Sequence, residues 1–112
     1  MPSPHITREF PDYPTDSLPA VPRWLVPTHW RHNTAPSWED PLAFTRVFID
    51  YPDPADRELQ GCARYWVGFS DGSITYAETE SWSEALRGLR LARRRYRYRM
   101  RTEPQRAARR GF

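Results

Sequence analysis

Arg87, Arg90, Arg94, Arg97 and Arg101 follow one another at alternating spacings of three and four residues. On an α-helix that spacing lines side chains up along one face, so the residues form a continuous cationic ridge. Guanidinium groups grip phosphate or carboxylate through paired hydrogen bonds, and Tyr98 beside the ridge offers a stacking surface. Residues 93–100 read RRRYRYRM, the interleaving of basic and aromatic residues that phosphate neutralisation with base stacking would use. The ridge points to nucleic acid or another polyanion as partner. A second reading is purely structural: a helix carboxyl end attracts cations through its dipole, and carboxylates elsewhere in the chain neutralise the remainder.

The ridge belongs to a wider segregation of charge. From Arg87 onward eleven arginines stand against the single Glu103, whereas residues 1–86 hold six arginines against thirteen aspartates and glutamates. The formal net charge of +3 therefore hides a dipolar chain, a property that governs association with partners more than fold. All 17 basic residues are Arg and none is Lys. Either a GC-rich genome or selection for the guanidinium fork gives that pattern.

A second constellation lies in the acidic half. Asp53, Asp56 and Glu58 sit in a proline-stiffened stretch, Asp50 to Glu58, that could present carboxylates to a basic protein groove. With the apolar Trp30 and Trp38 it outlines an alternative, a protein-interaction module engaging a host or phage protein complex.

Catalytic and metal chemistry find little support. His29 and His32 are spaced for one pair of zinc ligands, but no second closely spaced pair completes a site. Cys62 is the only cysteine, which excludes an internal disulfide and suits a reducing compartment. No phosphate-binding loop, nucleophile elbow or dinucleotide fingerprint occurs among the five glycines. We expect no catalytic residues, no metal and no cofactor, hence no enzyme. No apolar run reaches the ~18 residues of a membrane span, and Met1-Pro2-Ser3-Pro4-His5 lacks the order of a signal peptide. A cytoplasmic protein without membrane contact is expected.

The elements that would position these groups read as one small domain of 112 residues. Nine prolines within residues 1–41 argue against a long helix or a central strand. Residues 1–42 are expected to form an irregular Pro/Trp-rich arm whose aromatics pack on the domain and cover the outer face of its sheet. Strands are predicted at 44–51, rich in β-branched and aromatic residues, at 63–69 and at 74–79. Asp71-Gly72 is expected to join the last two through a type I′ turn, setting Phe69 opposite Ile74, Val67 opposite Tyr76 and Tyr65 opposite Glu78. Ser81-Trp82-Ser83-Glu84 matches a capping box. A helix should follow to about Arg101, ending at Pro104, with Trp82, Ala85, Leu86, Leu89, Ala92, Arg93, Tyr96 and Met100 along its buried side. The predicted fold class is α+β, a small antiparallel three-stranded sheet followed by one long C-terminal helix (β-β-β-α) over residues 43–103, with a basic tail at 104–112.

Two stretches, His32-Asn33-Thr34-Ala35-Pro36-Ser37-Trp38 and Val47 to Glu58, resemble small uncharacterised proteins of alphaproteobacterial genomes and their phages or plasmids. The resemblance covers residues 28–70 and leaves the arginine-rich helix outside it. It implies a mobile-element setting, in which small proteins often act by binding, and it carries over no functional residue.

Overall fold

The computed structural model describes residues 10–28, 35–57 and 61–109, and from residue 101 on only the course of the helix. Five strands, β1 (Val26–Pro27), β2 (Ser37–Asp40), β3 (Thr45–Ile49), β4 (Tyr65–Phe69) and β5 (Thr75–Thr79), precede one long helix, α1 (Trp82–Arg109). All strand pairs are antiparallel and their order in the sheet is their order in the chain. The sheet thus has five strands rather than the expected three; the α+β class stands. The extra two lie inside the proline-rich stretch because the prolines bracket β2 instead of interrupting it. Pro36 precedes β2 and Pro41 follows it, while Pro27 sits in the two-residue edge strand β1, where a missing amide breaks no central ladder.

Alternation sorts the central strands as the sequence implies. Thr45, Val47 and Ile49 of β3 are buried, whereas Arg46 and Phe48 face the other way. Val47 pairs with Val67, Ile49 with Tyr65, and Trp38 of β2 with Val47. Against this face α1 packs Ala85, Leu89 and Ala92, all essentially without solvent exposure.

The β4–β5 hairpin departs from its predicted register. Gly68 pairs with Thr75, but a bulge shifts the ladder so that Val67 faces Ala77, Trp66 faces Glu78 and Tyr65 faces Thr79. Tyr76 is the extra residue. The turn differs as well: Gly72 takes φ +82° while Asp71 stays at negative φ, so it is not type I′. Gly72 donates to the Phe69 carbonyl at 2.8 Å and Ser73 to the Asp71 carboxylate at 2.8 Å, and Gly72 alone needs the left-handed region. The slip places the small Ala77 under the helix, where a Cβ on Gly88 would lie 2.9 Å from that of Ala77.

The arm packs on the helix side of the sheet, not on its outer face. Phe10, Tyr13 and Leu25 join Trp38, Val47, Ile49, Tyr65, Val67, Ala85 and Leu89 in one core, with Leu18, Val21 and Trp24 against it. The outer face closes on itself. Phe48 meets Trp66 at 5.8 Å between ring centroids, the Trp66 indole N–H donates to Thr75 Oγ1, and its ring lies along the bare Gly68. No described helix is long and apolar enough to cross a membrane.

Candidate polyanion interface

Among the described side chains of α1 the buried ones, Ala85, Gly88, Leu89 and Ala92, lie in its first three turns. At its start the Ser81 hydroxyl accepts from the Glu84 amide at 3.4 Å. The Glu84 carboxylate instead takes the Thr79 hydroxyl, whose oxygen accepts from the Ser81 amide. The capping box is therefore half formed, with Thr79 as relay. Trp82 meets Tyr65 at 5.4 Å and, two turns beyond the deeply buried Leu89, Tyr96 meets Phe44 at 5.8 Å. Past that contact Arg97, Tyr98, Arg99 and Met100 are exposed. From Arg97 to Arg109 the helix runs on for about 20 Å at 1.5 Å per residue. The helix also runs past Pro104, its expected end; the proline removes one amide from the ladder without stopping the chain.

Two groups stand out among the described arginines. Arg93, on the buried side, donates from Nε and Nη2 to the carboxylate of Asp40 at 2.6 and 3.1 Å and lies over the Trp24 ring at 4.2 Å. Asp40 is fully buried and holds the guanidinium charge still more firmly, raising the Arg93 pKa. Arg64 turns to the arm, donating to the Tyr13 hydroxyl and to the Ser17 carbonyl and hydroxyl. The Tyr13 hydroxyl donates to the Ile49 and Asp50 carbonyls, and burial pushes its pKa up.

Arg57 is the third committed cation, and nothing in its sequence context singles it out. Its side chain is 2% exposed and spends every donor: Nε on the Tyr51 carbonyl, Nη1 on Cys62 and Glu80, Nη2 on Pro52 and Glu80. The hydrogen bonds to Arg57 hold the Glu80 carboxyl below its usual range.

The second group is the ridge. Arg87, Arg90, Arg94 and Arg97 are all exposed, and among the described residues no carboxylate lies within ion-pair distance of them. Tyr98 beside them is 56% exposed. The side chain of Arg101 lies outside the described residues. The structure thus brings four of the five predicted ridge residues onto one solvent-facing line with Tyr98.

The acidic loop sits at the opposite end of the molecule, near the helix amino terminus. Asp50 follows β3, whose Ile49 pairs with Tyr65, the residue under Trp82. Asp53 caps the 3₁₀ turn Pro54–Asp56 by accepting from Ala55, and Asp56 is exposed. Trp38 is buried in the core, so it presents nothing to a partner, while Trp30, Glu58, His29 and His32 lie outside the described residues. Acidic amino end and basic carboxyl end follow the direction of the helix dipole. Cys62 lies ahead of β4, and no cluster of potential metal ligands occurs among the described residues. Comparison with protein-family models, with curated proteins and with solved structures finds no match.

Proposed function

We propose that this protein is a non-enzymatic binding protein that grips nucleic acid, or a polyanion of like charge density, through the arginine ridge of α1. The observation that carries the reading is the division of the arginines. Arg57, Arg64 and Arg93 are consumed by internal partners, whereas Arg87, Arg90, Arg94 and Arg97 line an exposed face without carboxylate partners among the described residues. Like charges at such spacing destabilise a helix by a few tenths of a kcal/mol per pair, a cost that a polyanion reverses. The dipole explains cations in the last turns but not a ridge that begins at Arg87, in the second turn.

The test is the salt dependence of binding to DNA and RNA. Each neutralised phosphate contributes roughly 0.7–0.9 to the slope of log affinity against log salt. Changing Arg90, Arg94 and Arg97 together to Gln should therefore lower the slope by about 2–3 and leave the fold intact. An unaltered slope would place the contact elsewhere. If neither DNA nor RNA binds at low salt, the reading passes to a protein-interaction module that works through Asp53 and Asp56.

A further inference from the structure

One residue of the described chain combines strain with exposure. Phe44 has φ +47°, the only non-glycine in the left-handed region among the described residues, yet its side chain is 51% exposed. It ends the β2–β3 loop, in which Asp40 and Thr45 pair and the Ala43 amide donates to the Asp40 carbonyl. That slot suits glycine or asparagine, because a bulky L-residue meets its own backbone there. Packing on Tyr96 uses only part of the ring, and half of the residue stands in water. The position is nonetheless firmly held: the Ser70 amide donates to the Phe44 carbonyl at 2.7 Å, and the Asp40 carboxylate that orders the loop through the Leu42 amide is clamped by Arg93. Strain kept at a rigid, exposed position is the signature of a functional constraint.

The ring does not stand alone. It meets Tyr96 at 5.8 Å and a 58° tilt, with the exposed Leu42 in the same loop and the exposed Arg99 and Met100 one turn further along the helix. An apolar, aromatic step with a guanidinium beside it fits a flat ring followed by a phosphate. We propose that Phe44 and Tyr96 form a stacking site for an unpaired base, so that the polyanion is single-stranded nucleic acid. Paired bases are stacked within their duplex and offer no free face to these rings. The proposal rests on the polyanion reading, and it adds a contact that reads base faces where the ridge reads phosphates.

The experiment compares fluorescence anisotropy of four labelled probes at one ionic strength: single-stranded DNA, single-stranded RNA, an abasic strand of equal length, and a duplex with the same number of phosphates. The protein is used unaltered and as Phe44→Gly, which fits the left-handed slot and deletes the ring. Stacking of one base predicts that Phe44→Gly weakens both intact single strands by about 5- to 150-fold. Its salt slope and its affinity for the abasic strand and duplex should not change, and its melting temperature should stay level or rise. The unaltered protein should prefer the intact strands to the abasic strand by a similar factor, a comparison that needs no variant. Equal affinity for intact and abasic strands, or full affinity in Phe44→Gly, would overturn the stacking site while leaving the ridge in place. Failure of every probe to bind at low salt would overturn both.

Discussion

Arg93→Gln separates an arginine that holds the fold from its neighbours that face solvent. Asp40 is 0% exposed, and its carboxylate is met by two guanidinium donors and by the Leu42 amide at 3.1 Å. Removing the cation leaves a buried anion with that single amide, and breaking a buried pair from one side costs about 3–5 kcal/mol. The Arg93 side chain is 25% exposed, so some water enters and the lower part of the range applies. Loss of the cation–π contact with Trp24 adds about 1 kcal/mol, for a total near 4 kcal/mol. Asp40→Asn should be milder, about 1–3 kcal/mol, because asparagine retains an oxygen for Leu42 and the unpaired guanidinium can reach solvent. The double variant should then be more stable than Arg93→Gln alone, since it no longer buries an orphaned charge. Urea unfolding followed by tryptophan fluorescence measures all of these, with Arg90→Gln as the near-neutral control. A loss below about 1 kcal/mol for Arg93→Gln, or strictly additive single changes, would refute the argument.

Gly88→Ala should destabilise the domain by about 1–3 kcal/mol through overpacking against Ala77, despite the better helix propensity of alanine, and Ala77→Gly in the same chain should recover much of the loss in a thermal melt. Leu89→Ala should cost about 2–5 kcal/mol from a fully buried site, and Leu86→Ala clearly less, because Leu86 is only partly buried; equal losses in denaturant titrations would mean the helix docks on another face. The folded-state pKa of Glu80 is depressed, so its bond to Arg57 contributes stability above the unfolded pKa, and that contribution is lost as pH falls from about 5 through the lowered value. With the carboxylate 62% exposed the effect should stay under about 1 kcal/mol. Glu80→Gln should flatten the acid limb of the stability curve, and a steeper limb would contradict the assignment.

The parts of this fold legible in the sequence are those where one short pattern decides the outcome. Alternation in 45–49 and 65–69 is enough to separate the buried Val47, Ile49 and Val67 from Arg46 and Phe48, and three-four spacing places Ala85 and Leu89 on the packed side. Proline density over residues 1–41 hides two strands, because the physics acts residue by residue: Ser37–Asp40 contains no proline, and Pro27 sits in the edge strand β1. The bulge escaped because it is set by how closely a helix can approach at Gly88, a contact across layers. The same holds for the clamps: Arg57 with Glu80 and Arg93 with Asp40 join residues 23 and 53 positions apart, and no local spacing reports them. For the candidate interface the exposed ridge was readable as periodicity. The strained Phe44 was not, since only backbone geometry reveals that a phenylalanine occupies a glycine's place.

Crowding of folded copies punishes any sheet with a long, straight free border. Both borders here are poor templates. One is β1, two residues long with a proline that has no amide to give. The other is β5, whose bulge at Tyr76 breaks the even spacing that a docking strand would need. The meander therefore ends on each side in a form that resists strand addition, so copies crowded together can remain separate, folded molecules instead of fusing into a shared sheet.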